Sequence, residues 1–226
     1  MNLIARMRHL IGQAWLGLRR HGSGDYWESR YRLGMTSGSG SMGELARFKA
    51  RVLNDFVREQ GVESVIEFGC GDGLQLALAE YPLYLGVDVS PTAVELCRRR
   101  FARDATKTFL WLGDPGRGTG EALPGADLAL SLDVIYHLVE DEVYRRYLDE
   151  LFGAARRHVI IYSSNREDLA GAAHVRHRAF LREVQTRFPE FRLVRKVDNP
   201  LPKQSFADFY VFSRVADPVG ADSRRR

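Results

Sequence analysis

Cysteine is nearly missing from this chain. Its two copies in 226 residues, Cys70 and Cys97, show no metal-ligand spacing, and a chain this long has little need of one disulfide. A disulfide scaffold and a thiolate zinc site are thereby excluded, and a reducing compartment, the cytoplasm, is expected. No apolar run reaches the roughly 20 residues that span a bilayer. Lysine is also scarce: Lys49, Lys107, Lys196 and Lys203 are the only ones, so arginine carries a modest net charge of +4. Acidic residues are interspersed with the arginines, a pattern that does not mark a nucleic-acid partner. Internal repeats are absent. With 45% hydrophobic and 11% aromatic residues, enough core material remains for one α/β domain with terminal additions.

Residues 1–40 read as such an addition. Leu3, Ile4, Met7, Leu10, Ile11, Ala14, Trp15 and Leu18 fall at helical spacing, with Arg6, Arg8, Arg19 and Arg20 on the remaining face. A basic amphipathic helix of this kind packs on its own domain, docks on a second copy in a homodimer, or lies on an anionic membrane surface. The stretch DYWESRYRLGMTSGSGSMG (25–43) combines aromatics and arginines with flexible glycine and serine. It reads as a lid over a bound molecule, with Tyr26, Trp27, Arg30 and Tyr31 as contact residues; a linker is the alternative.

From 41 to 215, helical and strand patterns alternate, and 216–226 read as a frayed tail. Ser41 and Glu44 have the spacing of a capping box ahead of a helix over 42–60. Strands are expected at 62–68, 83–89, 108–112, 126–132, 158–163, 191–197 and 206–212. Helices are expected near 73–80, from Pro91 to about 103 behind a Ser90 cap, over 140–152 and over 174–188. Early βαβα alternation with continuous apolar strands implies a parallel sheet covered by helices on both faces. The last two strands are joined without a helix, so that pair is expected to be antiparallel. Ligands of such sheets bind at the carboxyl ends of the strands, which selects 67–73, 88–90, 113–114, 131–137 and 163–165 as one site.

That site begins at VIEFGCGDG, residues 65–73. A dinucleotide turn places its third glycine five positions after the first. Here Leu74 holds that position and Gly73 arrives one residue early. Glu67 ends the strand two residues before Gly69, where a carboxylate would repel a pyrophosphate. Asp88 ends the next strand, placed to accept from ribose hydroxyls. Gly113-Asp114 ends the third, with a carboxylate suited to an adenine amino group, and SLDVIYHL ends the fourth. In chain order, E-x-G-x-G-x-G, V-D, G-D and S-L-D over roughly 60–165 resemble the class I S-adenosylmethionine-dependent methyltransferases. The resemblance implies a Rossmann-like α/β fold, with a seven-stranded, mostly parallel sheet whose last strand is antiparallel. It also implies S-adenosylmethionine as cofactor. Carried over by position, Glu67, Gly69 and Gly71 would approach the methionine part and Asp88 and Val89 the ribose. Gly113 and Asp114 would meet the adenine, and Ser131 and Leu132 would lie beneath the sulfonium. Arg30 would pair the methionine carboxylate.

The fourth strand lacks the Asn/Asp-Pro-Pro-aromatic pattern of enzymes that methylate planar amino groups, so a hydroxyl of a small polar acceptor is expected. His137 is the candidate base, with Asp133 four residues before it. His137 packing in the strand-to-helix loop is the alternative. Asp133 would orient the acceptor or help hold a divalent metal such as Mg²⁺, as in some sugar and catechol methyltransferases, although no metal-ligand spacing commits to one. His174 and His177 are expected on one face of the 174–188 helix. Ser163, Ser164 and Asn165 either bond a polyhydroxylated acceptor or make a turn. Segment 25–43, the FKARVLN helix and SLDVIYHL further resemble bacterial methyltransferases of methylated mannose polysaccharides, which implies a sugar or oligosaccharide acceptor. A small amine acceptor, and a non-catalytic cofactor-binding module that docks a partner, are the rival readings.

Overall fold

A computed structural model describes residues 22–113, 122–168 and 172–215. The expected N-terminal amphipathic helix, with its membrane and dimer alternatives, the tail and Asp114 lie outside the described residues. Seven strands form one sheet: β1 (Ser64–Phe68), β2 (Leu83–Asp88), β3 (Lys107–Trp111), β4 (Ala126–Leu132), β5 (Ala155–Ser163), β6 (Phe191–Val197) and β7 (Asp208–Arg214). Their spatial order is β3-β2-β1-β4-β5-β7-β6. The first five are parallel, and β7 inserts antiparallel between β5 and β6. The chain reverses direction in the sheet between β1 and β4, and this switch point opens a crevice at the strand ends.

The central strands carry no polar side-chain alternation because helices cover both faces. On one face Val65, Leu128, Leu130 and Ile160 pack against α2 (Gly43–Glu59) through Leu45, Leu53 and Phe56. On the other, Ile66, Ala129 and Ile161 meet Leu148, Leu151 and Phe152 of α4 (Asp141–Gly153). Ser90 caps α3 (Pro91–Arg100), its hydroxyl accepting from the Ala93 N–H at 3.0 Å, with Pro91 in the first turn.

Three local expectations change. Residues 73–80 form only a 3₁₀ turn at Leu76–Leu78, since a run with Gly73 before it and Tyr81-Pro82 after it is too short to repay helix nucleation. The capping box at Ser41 is not made: Met42 is the N-cap of α2 without a side-chain bond, and Ser41 belongs to a 3₁₀ turn facing a cavity. Residues 174–178 are not helical, and α5 starts only at Phe180 (Phe180–Arg187). The reason lies in Arg178. Its buried guanidinium donates to Asp141 at 2.6 Å and to the Leu138 carbonyl at 2.9 Å, and it lies over the Tyr144 ring. Those contacts, with Arg176 N–H donating to the Tyr136 carbonyl at 2.7 Å, stretch 174–178 across the loop after β4.

Segment 25–43 begins within a helix, α1 (Ser23–Arg32), and continues in turns. Polar contacts tie it to three strand-end loops. The Ser23 N–H donates to Glu140 at 2.8 Å, before α4. Glu28 accepts from the hydroxyls of Ser90 (2.6 Å) and Thr92 (2.8 Å), after β2. The Ser37 hydroxyl donates to Asp72 at 2.8 Å, in the loop after β1. These bonds place α1 across the crevice in the manner of a lid.

Candidate active site

The crevice is a cavity of about 810 Å³, within the range of small-molecule sites. Its floor is the turn after β1, where Gly69, Gly71 and Gly73 all have positive φ. Glycine is required at the first two by space as well as by conformation. A Cβ on Gly69 would stand 2.6 Å from the Val134 side chain, and one on Gly71 would stand 2.4 Å from the Ser37 hydroxyl. Cys70 and Cys97 lie buried behind the turn, with the Cys97 thiol donating to the Gly71 carbonyl at 3.1 Å.

Carboxylates stand at successive strand ends. Glu67 is 4% exposed, accepts from the Tyr84 hydroxyl at 2.7 Å, and lines the cavity. Burial lifts its pKa to about 7, against the pull of Tyr84 and Lys49. Asp88 accepts main-chain N–H bonds from Ser90 and Gly71, each at 2.9 Å. Burial still raises its pKa to about 6. Val89, Leu112 and Gly113 extend this wall towards β3. Leu132 lines the cavity at the end of β4, whereas Ser131 turns inward and accepts from the Tyr147 hydroxyl at 2.7 Å.

At the β4 end, Asp133 has φ 60°, the only positive value at a non-glycine position among the described residues. Its side chain is held on both sides, by the Lys49 ammonium at 2.6 Å and the Tyr136 hydroxyl at 2.6 Å. Lys49 comes from α2 with its side chain 1% exposed. Sequence reasoning overlooked it, although a signal existed. Lys49 sits between Leu45 and Leu53 at helical spacing, the one lysine on an apolar stripe in a chain that otherwise prefers arginine. Gln75 and Glu140 were overlooked too. Both line the cavity, and each has a buried side-chain oxygen, Oε1 and Oε2 respectively, without a hydrogen-bond partner among the described residues.

His137 ends the 3₁₀ turn Ile135–His137 and lines the same cavity. Its Nδ1 lies 3.2 Å from the His174 carbonyl, which can only accept, so Nδ1 carries the proton and Nε2 keeps its lone pair. Burial lowers the His137 pKa to about 4, leaving the ring neutral at ordinary pH. The rings of Trp27 and His174 flank it at 4.8 and 5.7 Å, and Tyr26 stacks on His174 at 4.2 Å. Of the lid residues, Trp27 and Tyr31 reach the cavity wall. Tyr26 is instead engaged with His174, and Arg30 turns to the Thr36 carbonyl at 2.7 Å. Ser163 and Ser164 are buried at the β5 end, the latter bonded to His177. Among the described residues no group of three or more His, Cys, Asp or Glu side chains could hold a metal ion.

No protein-family model matches the sequence, and no curated protein matches it. Solved structures do. Magnesium protoporphyrin IX methyltransferase (ChlM) from Synechocystis PCC 6803, with bound S-adenosylhomocysteine, is 17% identical with a TM-score of 0.62, over 84% of this chain and 97% of that one. The N-methyltransferase NodS from Bradyrhizobium japonicum WM9, also with S-adenosylhomocysteine, is 17% identical with a TM-score of 0.65, over 87% and 100%. The methyltransferase domain of bacterial CtHen1 is 19% identical with a TM-score of 0.58, over 74% and 97%. At these identities the likeness establishes the fold: a Rossmann-like methyltransferase fold, mostly parallel, with β7 antiparallel.

Proposed function

We propose that this protein is an S-adenosylmethionine-dependent methyltransferase acting on an oxygen of a small polar acceptor, such as a sugar or oligosaccharide hydroxyl. One observation carries the reading: the glycine turn and the carboxylates of Glu67 and Asp88 open, at the switch point of a methyltransferase fold, into the same cavity as His137. The residues fit the cofactor. Gly69 and Gly71 leave a cradle that a Cβ would fill, and Glu67 suits a cationic group. Asp88 still has acceptor capacity for vicinal hydroxyls beyond its two main-chain bonds, and Leu112 and Gly113 provide an apolar wall for a flat base. When bound, S-adenosylmethionine supplies an electrophilic methyl on a sulfonium. Around it the chain's own residues position the acceptor and exclude water. His137 Nε2 is free to accept a proton, its ring oriented by the His174 carbonyl.

A second reading, transfer to a small amine, is favoured by a different observation. Among the described residues the cavity wall carries Asp25, Glu67, Asp72, Asp88, Asp133, Glu140 and Glu150 against only Lys49 and Arg146, and it includes Trp27. Calorimetry with S-adenosylmethionine and S-adenosylhomocysteine tests the shared premise, and absence of binding to both would end it. Tritiated methyl transfer to glycoside and amine panels, with and without Mg²⁺, then separates the two.

A further inference from the structure

A site that accepts a sulfonium should repel a second cation, yet Lys49 is buried in its wall. The ammonium has three donors. One goes to Asp133 at 2.6 Å, and the Tyr162 ring centroid lies 5.3 Å away. The other donors have no acceptor among the described residues, and Lys49 borders the cavity. Neutralising Asp133 is too small a reason for the lysine, because an asparagine at 133 would need no counter-ion and a buried ion pair costs desolvation twice. The pair is also held under constraint. Asp133 keeps its left-handed backbone, and a Cβ on Gly40 would stand 3.0 Å from its Oδ2. An ammonium so fixed at the border of a cavity, with donors left over, suits a negative charge that arrives with a ligand.

We propose that Lys49 binds the acceptor's nucleophilic oxygen as an anion, so that the acceptor belongs to the oxygen acids (phenols, enols or carboxylates) and not to the unactivated alcohols. The inference rests on the methyltransferase reading above; it keeps oxygen as the acceptor atom and replaces the sugar hydroxyl with an acidic one. Asp133 follows β4, beside His137, at the opposite side of the cavity from Asp88 and Val89 at the end of β2. A cofactor whose ribose lies at Asp88 therefore presents its reacting end towards Lys49. The chemistry balances without a strong base. The acceptor loses its proton to water before transfer, and its oxygen lone pair forms the O–CH₃ bond as the S–CH₃ bond breaks. The bonding pair returns to sulfur, so anion and sulfonium both end neutral. His137, whose ring is a weak base in its buried setting, then serves as a hydrogen-bonding and orienting group.

The experiment offers the full-length protein tritiated S-adenosylmethionine with four probes: 4-nitrophenol, benzoate, methyl α-D-mannopyranoside and benzylamine. Transfer to the phenol or to benzoate is expected to exceed transfer to the other two at least tenfold. Lys49→Met combined with Asp133→Asn, which removes both charges, should lower that transfer a hundredfold or more, and Lys49→Arg should retain most of it. Calorimetry should show S-adenosylmethionine affinity within threefold of wild type in both variants. Preference for the mannoside or the amine overturns the proposal, as does absence of transfer to both acids. A loss of cofactor affinity beyond threefold also overturns it, since the cation would then serve the cofactor's own carboxylate. The order of the four acceptors needs no variant, so a poorly folded double variant does not shield the proposal. If the wild type binds no cofactor, the underlying methyltransferase reading fails instead.

Discussion

The two ends of the cavity are built in opposite ways. The end at β1 and β2 consists of short chain segments with the chemistry already in them: Glu67 through Gly73 is seven residues, and Asp88 meets it through one main-chain bond from Gly71. The end at β4 assembles Trp27, Lys49, Asp133, His137 and His174 from four distant parts of the chain. The first is held by backbone conformation and main-chain hydrogen bonds, the second by ring contacts, side-chain hydrogen bonds and one ion pair. Cofactor binding should therefore depend on the first end and acceptor handling on the second.

The most damaging way to test that division is Gly69→Ala. With φ 81° and 2.6 Å to the Val134 side chain, the new methyl has neither conformation nor room. Stability should fall by about 2–4 kcal/mol, and cofactor affinity by roughly a hundredfold. Thermal denaturation and calorimetry report the two. Unchanged affinity would remove the glycine turn from the binding site. A smaller effect is expected at the other end. His174→Ala keeps the carbonyl that orients His137 but deletes a ring stack worth about 0.5–1.5 kcal/mol. Acceptor kcat/KM should drop roughly tenfold with cofactor affinity within about threefold. Equal losses in both would show that the ends are not separable.

The smallest effect is one of pH. Glu67 has a folded pKa of about 7, above its ordinary value of 4.5. The folded state thus binds the proton more tightly than the unfolded one, and the resulting stability, complete below 4.5, is lost as pH rises through 7. His137 has the reverse sign: its folded pKa of about 4 lies below 6.5, so its contribution is lost as pH falls from 6.5 to 4. Above pH 6.5 the histidines with lowered pKa, His137, His158, His174 and His177, act with the opposite sign, so Glu67 is read from the difference between wild type and Glu67→Gln. From pH 6.5 to 8 the unliganded wild type should lose about 2–4 °C relative to Glu67→Gln. A difference that stays constant would mean that Glu67 is ionised throughout.

How far each end could be read in advance follows from its construction. Ser90-Pro91 marks the start of α3 because a cap needs only its own four residues. The 126–132 strand and the order of acidic strand ends were legible for the same reason. The start of α5 was not, because Arg178 bonds to Asp141 and Leu138, nearly 40 residues away, and that tie overrides a helical period in 174–179. The lid's aromatic residues stood out in the sequence, but their partners did not. Nothing local to Tyr26 names His174, and nothing local to Arg30 directs it to Thr36 rather than to a ligand. Lys49 lay between the two cases, visible as an anomaly on an apolar face but without its partner Asp133.

The placement of β7 has a consequence for synthesis of the chain. Among the described residues β6 pairs only with β7, and β7 occupies the slot between β6 and β5. While Asp208–Arg214 is still within the ribosome, the outer edge of β5 has no strand beside it. Completion of the sheet waits for Asp208–Arg214. A chain that ends near residue 205 therefore leaves the apolar edge of β5 open to chaperones and proteases, and the last seven sheet residues to be made are the ones that close it.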